Sequence, residues 1–414
     1  MKKLLFIINT LGCGGAERAM LNLFGVLDSE KYDISLFVLT GQGELRRELP
    51  ENVRLLNKNY KDVSVLTKEG RRRLMLSVLK AGIGKGLFFR RAPYLIKIIR
   101  NMRRNGKILL DKLFWRLLAD GAPRINEEYD LAVAYLEGGA TYYTAEHIKA
   151  KKKAAFVHID YKKAGYNRDL DLNCYDKFDR IFTVSDEVRE HFLRVYPEYE
   201  EKTSVFHNLL NQERIKKMAE DGEGFNDGFE GVRLLTVGRL TRQKRYDIAI
   251  EVMKLLKEKS SIPIRWYVLG EGELHKELEQ QIKDYGLQND FILMGVKENP
   301  YPYYKGCDFY VHATEYEGKS IAVQEAQTLG KAILATDCSG NREQIENGTD
   351  GILCELNPKT ISERLLDMIN NPEKCKSFGE KARQKVLYHT KGLDEFIAMA
   401  GGSLNESTYN NTGV

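Results

Sequence analysis

Val232-Arg-Leu-Leu-Thr-Val-Gly238-Arg239-Leu-Thr-Arg-Gln-Lys244-Arg-Tyr246-Asp-Ile-Ala-Ile-Glu-Val-Met-Lys-Leu-Leu256 decides the fold class. An apolar run of strand length, Val232–Val237, stops at a glycine and a basic turn. The turn opens into a stretch from Tyr246 whose apolar residues return at helical spacing. Strand, turn and helix in that order form half of a βαβ unit, and the pattern repeats along the chain. Ile264–Leu269, Phe291–Met294, Phe309–His312 and Ala332–Ala335 follow as strands with helical stretches between. Earlier, Leu4–Asn9, Asp33–Leu39, Asn52–Leu56, Leu131–Leu136, Ala154–His158, Arg180–Val184 and Ser204–Phe206 make a first series of the same kind. Alternation of this sort predicts an α/β protein with parallel sheets covered by helices on both faces.

The chain therefore reads as two similar halves. A first Rossmann-like domain is expected over 1–210 and a second over 232–385. The Gly- and acid-rich stretch 211–231 has linker composition. A basic helical insertion at about 61–125 interrupts the first domain, and a polar tail occupies 401–414.

Met1-Lys2-Lys3 followed by Leu4–Ile8 has the outline of a signal peptide, but the apolar run is too short and Gly14-Gly15 follows in place of a cleavage site. It reads as a buried first strand. No run approaches the roughly 18 apolar residues that span a bilayer. The six cysteines, at 13, 174, 307, 338, 354 and 375, have no paired spacing, which suits a reducing cytoplasm and argues against a zinc site or a disulfide framework. The net charge of +5 hides an uneven distribution. From Lys68 to Arg116 there are fifteen Lys/Arg against two acids, Glu69 and Asp111, so this segment carries +13 and the rest of the chain −8. Apolar residues at helical spacing lie among those cations, as in basic amphipathic helices that rest on anionic membrane surfaces. The alternative is that their apolar faces pack on the domain and the charges are solvated. Nucleic acid is not an expected partner.

Ligands of open α/β sheets bind at the carboxyl ends of strands. Gly238, Arg239 and Lys244 stand at such an end, where a guanidinium and an ammonium suit a diphosphate. A solvated basic turn is the other reading. Downstream, Glu317-Gly-Lys-Ser-Ile-Ala-Val-Gln-Glu325 sets two carboxylates eight residues apart across a helix start, with Gly318 and Ser320 where backbone N–H groups are expected to be free. Such acids repel phosphate if aimed at it, so they fit hydroxyls on either side of a diphosphate, as in a nucleotide-sugar; solvated acids on a surface helix remain the alternative. In the first half, Gly12-Cys-Gly14-Gly15-Ala-Glu17-Arg18 fails as a dinucleotide fingerprint, because the third glycine falls on Glu17 and no acid ends the next strand. His158 closes a strand facing the same side; a structural role is the commoner one for a lone histidine. Asp169-Leu-Asp171 is discounted as a metal motif for want of further ligands.

Taken together, Gly14-Gly15-Ala-Glu-Arg18, Gly238-Arg239-Leu…Gln243-Lys244 and Glu317-x7-Glu325-Ala-x-x-Leu-Gly-Lys resemble family-4 retaining glycosyltransferases in order and separation, over residues 1 to about 390. The Glu-Gly-Lys-Ser-Ile-Ala variant is similar to bacterial members that build capsular, exopolysaccharide and other surface glycans. The resemblance implies a GT-B fold, two facing Rossmann-like domains with a cleft between them, and a C-terminal helix, about 386–400, returning toward the first domain. It implies a nucleotide-sugar donor, such as a UDP-sugar, held mainly by the second domain, with no bound metal or other cofactor. By position, Arg239 and Lys244 would neutralise the leaving diphosphate, Glu317 would contact the transferred sugar and Glu325 the ribose. Gly238, Gly318, Lys319 and Ser320 would line the donor site, and His158 would lie near the reacting centre. Gly14 and Gly15 would line the first-domain side, and Asn208 matches an asparagine before the linker. Lys319 departs from the aromatic residue many members carry there, so donor identity transfers less readily.

The expected function is sugar transfer to a glycan or lipid-linked acceptor in bacterial cell-surface polysaccharide synthesis, in the cytoplasm and peripheral to the inner face of the plasma membrane. Arg239→Ala and Lys244→Ala are each expected to cripple turnover, by about 10²–10³-fold, with little loss of folding. The alternatives are a nucleotide-sugar epimerase of the same fold and a non-catalytic, membrane-associated glycan-assembly protein.

Overall fold

The computed structural model describes residues 1–84, 86–105, 110–386 and 392–402. It divides into two compact units. The first is Met1–Leu209 with the C-terminal residues 392–402; the second begins at Leu210 and runs through 386.

In the first unit, β1 (Lys2–Ile8), β2 (Tyr32–Val38), β3 (Val53–Leu55), β4 (Tyr129–Ala134), β5 (Ala150–Val157), β6 (Arg180–Thr183) and β7 (Thr203–Val205) form one parallel sheet in the order β3-β2-β1-β4-β5-β6-β7. Leu4 to Ile8 are wholly buried, as befits a central strand covered on both faces. In the second unit, β8 (Val232–Val237), β9 (Ile264–Leu269), β10 (Phe291–Leu293), β11 (Phe309–His312), β12 (Ala332–Thr336) and β13 (Ile352–Cys354) are ordered β10-β9-β8-β11-β12-β13. All the pairings are parallel. Strand order reverses at β1/β4 in one sheet and at β8/β11 in the other. These switch points are where open α/β sheets leave a crevice for ligands.

Three expectations change. A further strand, Ile352–Cys354, joins the second sheet; it is too short to stand out as a run. The stretch read as linker is folded onto the second unit. Asn211 caps a helix over Gln212–Glu220 by accepting the Arg214 N–H at 2.9 Å, and Ile215 and Ala219, one turn apart, are buried with Tyr301, Tyr304 and Val323. Farther along it, Asp227 accepts bonds from Arg265 at 2.8 Å and Arg233 at 3.3 Å, which fixes an acid-rich segment that composition alone marks as loose.

The third change concerns the basic insertion between β3 and β4. Its last helix, Leu110–Gly121, is a core element. Lys112 and Arg116 share one face and are fully buried. Asp171 sits beneath them and accepts from Lys112 Nζ at 3.1 Å, Tyr142 at 2.9 Å, Tyr161 at 3.0 Å and Tyr196 at 2.9 Å. Arg116 donates to the Asp171 carbonyl at 3.1 Å and stacks on Tyr142, while Arg91 pairs with Asp120 at 2.7 Å. Three of the cations counted toward a basic surface therefore neutralise buried or half-buried acids.

At the C-terminus the helix Leu393–Met399 belongs to the first unit, where Phe396 packs among Phe6, Phe156, Phe182 and Phe206. Residues 403–414 of the polar tail lie outside the described residues, as do 387–391 of the expected C-terminal helix.

Candidate active site

At the β8/β11 switch point, two loops are pressed together by glycines. The loop after β8 lies against the turn after β9: a Cβ on Gly270 would overlap the carbonyl of Gly238. The loop after β11 lies against the helix Ser339–Arg342, where a Cβ on Gly340 would overlap the carbonyl oxygens of Glu317 and Gly318. Side chains then stitch the loops to each other. Gln243 donates to the Tyr316 carbonyl at 2.8 Å, and the Thr314 hydroxyl is within 3.1 Å of the Gln243 carbonyl and 3.0 Å of the Tyr316 carbonyl. The Tyr246 hydroxyl holds the Gly238 carbonyl at 2.9 Å.

This framework brings Lys244 and Glu317 into a direct ion pair. His312, the last residue of β11, joins them, with Nε2 3.2 Å from Glu317 Oε2 and 3.5 Å from Lys244 Nζ. In the tautomer that donates from Nε2 to Glu317, Nδ1 accepts from the Tyr310 hydroxyl at 3.3 Å. Burial alone would raise the Glu317 carboxyl, but the Lys244 ammonium and the His312 bond outweigh it and hold the carboxyl at about 2. Burial, with the Lys244 charge, lowers His312, so its ring is neutral at pH 7. The cluster is thus an ammonium, a carboxylate and a neutral imidazole at the sheet's carboxyl edge. The sequence reading does not single out His312. Its one signal is position, at the end of the strand next to β8.

Arg239 stands on the same loop as Lys244. It is exposed, and its guanidinium has no partner among the described residues. Gly238 is half-buried at the strand end. Beyond Glu317, the expected free amide at Ser320 is occupied: Gln344 Oε1 accepts it at 2.7 Å and Gln344 Nε2 returns a bond to the Ser320 carbonyl at 2.8 Å. The helix Ile321–Thr328 begins only after this clamp. Lys319 and Ser320 are buried, and Gly318 is half-buried. Glu325 is also buried, and its two oxygens accept from Tyr301 at 3.0 Å and Tyr304 at 3.1 Å. These bonds fix the orientation of the Glu325 carboxylate.

The first unit has its own set at the carboxyl ends of β1, β4 and β5. Gly14 precedes the helix Gly15–Val26, and a Cβ there would overlap the Glu17 carboxylate, which accepts from Thr10 at 2.9 Å. The His158 amide donates to Glu137 Oε2 at 2.9 Å. Its ring lies against Tyr135, and Nε2 is buried with no hydrogen-bond partner among the described residues. Burial pushes its pKa down to about 4, so the ring is neutral at pH 7. Burial raises Glu137, a residue not read as functional from sequence. Asn208 is buried, and its Oδ1 has no partner among the described residues. In the same unit, two triads have ligand atoms within 4.8 Å, as a bound ion would need: Asp120, Glu146 and His147, and Asp160, Glu187 and His191. Arg91 pairs with both Asp120 and Glu146, so an arginine accounts for the first group; in the second, His191 Nδ1 lies 2.9 Å from Asp160 Oδ2.

Residues 229–385, nearly all of the second unit, match the family described as Glycosyl transferases group 1. A curated relative, the Campylobacter jejuni N-acetylgalactosamine-N,N'-diacetylbacillosaminyl-diphospho-undecaprenol 4-alpha-N-acetylgalactosaminyltransferase, is 25% identical over 393 residues, covering 93% of this chain and 95% of the relative. Among solved structures, Anabaena HepE in complex with UDP-glucose aligns over 97% of this chain and 99% of its own, with TM-score 0.66 and 15% identity. A point mutant of S. aureus TarM, in complex with fondaparinux, alpha-GlcNAc-glycerol and UDP, aligns over 97% and 100%, with TM-score 0.66 and 12% identity. The chain thus has a GT-B-type fold of two parallel-sheet, Rossmann-like units, and its second unit matches the group 1 glycosyl transferase family.

Proposed function

We propose that this chain transfers a sugar from a nucleoside-diphosphate sugar, with UDP as the carrier, to a lipid-linked or glycan acceptor in the assembly of bacterial cell-surface polysaccharide. The observation that carries the reading is the Lys244–Glu317–His312 cluster at the β8/β11 switch point, with Arg239 unpaired on the same loop. As the nucleoside diphosphate departs, negative charge grows on its terminal phosphate. Lys244, held by Glu317 and His312, and the unpaired Arg239 on the same loop offer that charge two cationic partners. Glu317 is ionised at neutral pH and is an acceptor only, which suits hydroxyls of the transferred sugar. Glu325, held by its two tyrosines, takes the ribose hydroxyls, and the backbone of Gly238, Gly318, Lys319 and Ser320 borders the donor. For the first unit, the resemblance read from the sequence assigns His158 to the neighbourhood of the reacting centre and Gly14, Gly15 and Asn208 to the acceptor side.

The reaction is read as retaining and independent of metal, with the cations in the role a metal would take. The Campylobacter relative, by its name, acts on a diphospho-undecaprenol carrier, which favours a lipid-linked acceptor here. The test is a nucleotide-sugar panel with and without EDTA, read as nucleoside-diphosphate release, with and without a polyprenyl-diphosphate glycan. Release from one donor, stimulated by the acceptor and unchanged by EDTA, is the expected result. Loss of release in EDTA, restored by added metal, would refute the metal-free mechanism. No binding of any nucleotide-sugar would refute the transferase reading itself.

A further inference from the structure

The helices that remain at the surface of the insertion expose the wrong kind of residue for water. Of the twelve large apolar side chains exposed among the described residues, eight fall between Leu66 and Ile99. Phe89 is 89% exposed, Ile83 71% and Ile96 67%. Elsewhere such residues occur singly, which is ordinary; gathered in one segment they mark an interaction surface.

The fold does not need them. The helix Lys68–Leu79 is seated by buried Val78, and Gln42 ties it to the body through the Gly70 carbonyl at 3.1 Å. The helix Ala92–Asn105 is seated by Tyr94 and Ile98, with the Tyr94 hydroxyl on the Leu170 carbonyl at 2.6 Å and Asn101 on Asn167 at 2.9 Å. Met75, Leu76 and Leu79 of the first helix, and Ile96 and Ile99 of the second, lie off those seated faces. Interleaved with them are Arg72, Lys80, Lys97, Arg100 and Arg103, all exposed and without an acidic partner among the described residues. The cations that the body neutralises, Arg91, Lys112 and Arg116, belong to the inner layer. No described helix is long and apolar enough to cross a membrane.

We infer that this outer face of the insertion is a docking surface for an anionic lipid bilayer. Ile83, Phe89 and Ile96 enter the headgroup–acyl boundary, and the unpaired arginines and lysines hold the phosphates around them. Nucleic acid would use the cations but leave the aliphatic side chains in water. The inference rests on the surface alone and does not depend on the sugar-transfer chemistry.

The test is sedimentation of the full chain with vesicles of phosphatidylcholine alone and of equimolar phosphatidylcholine and phosphatidylglycerol. Binding to the anionic vesicles only is expected. Replacing Arg72 or Arg100 by Gln should weaken it about fivefold each, since one basic residue near an anionic leaflet contributes about 1 kcal/mol. The double variant Phe89→Ser/Ile96→Ser should weaken it roughly tenfold or more at every salt concentration, because the apolar part is not screened. Both variants alter exposed side chains, and an unchanged urea midpoint checks that they fold. Undiminished binding of the serine variant would overturn the proposal, as would equal binding to both vesicle types. A lipid-free dimer that the serine variant dissociates would assign the face to a second copy instead. Tight binding to duplex DNA that the serine variant retains would assign it to nucleic acid.

Discussion

Replacing Lys244 by Met separates what this residue does for folding from what it does for turnover. The sequence leads one to expect that Lys244 and Arg239 behave alike; the structure divides them. Arg239 is exposed and unpaired, whereas Lys244 is the main reason a shielded carboxylate at position 317 stays charged. Both members of the pair have side chains only 15% exposed, so solvent screening removes little of the interaction. A carboxyl held at about 2 instead of its ordinary 4.5 stabilises the folded chain by about 3 kcal/mol at neutral pH. Because the folded pKa is the lower one, that contribution is complete above 4.5 and is lost as the pH falls toward 2. Lys244→Met should therefore lower stability by about 2–3 kcal/mol at neutral pH, with the deficit narrowing in acid.

Adding Glu317→Gln to Lys244→Met removes the uncompensated charge. The double variant should recover most of the stability while remaining inactive, and the cycle yields the pair's coupling. Urea unfolding followed by circular dichroism reads the first quantity, and nucleoside-diphosphate release reads the second. If Lys244→Met unfolds at the wild-type midpoint at neutral pH, the ion pair contributes nothing and the reasoning fails. If the double variant is as unstable as the single one, the loss comes from packing of the lysine stem and not from charge.

Arg239→Ala is expected to lower the rate about 10²–10³-fold, the usual cost of losing one preorganised group at a developing charge, with an unchanged urea midpoint; a wild-type rate removes Arg239 from the site. Asp171→Ala should destabilise the first unit by about 3–5 kcal/mol, because Lys112 would be left buried without its carboxylate acceptor. An unchanged midpoint would mean that water replaces the carboxylate. His158 is held neutral down to about 4, against 6.5 in the unfolded chain, so the wild type should lose about 3 kcal/mol as the pH falls through that interval. His158→Asn should lose correspondingly less between the same two pH values; parallel curves would place the ring in water.

Much of this site is legible in the sequence because its chemistry is carried by residue type at strand ends. Gly238 and Lys244 can be set at the carboxyl end of their strand from βαβ alternation, and Glu317 just past a later strand, but which strands are neighbours, and hence the β8/β11 switch point, comes only from the structure. His312 is not legible. A histidine at the end of a buried strand carries no local signature, and only the approach of Lys244 and Glu317 gives it a part. The Ser320 amide misleads for a related reason: a helix start predicts free N–H groups, but the Gln344 side chain, twenty-four residues on, reaches back to occupy one.

The insertion shows where counting charges stops being informative. Fifteen cations in one segment predict a basic surface only if all of them reach water. Lys112 and Arg116 sit one helical turn apart on a helix whose apolar residues Leu113 and Leu117 also turn inward, so the helix is buried along that side and takes its cations with it. Burying two cations demands acceptors: the Asp171 carboxylate, in the Asp-x-Asp stretch that offers no metal partners in the sequence, takes Lys112, while Arg116 bonds the Asp171 carbonyl and pairs with Glu146. Each feature misleads when read separately, one as a wholly solvent-facing patch and the other as an idle acid pair. Together they account for each other: the acid is needed because the cations are buried, and the cations can be buried because the acid and its tyrosines are there. What remains outside, the unpaired arginines and lysines among exposed Ile83, Phe89 and Ile96, is the part of the charge pattern that the fold does not explain and a bilayer would.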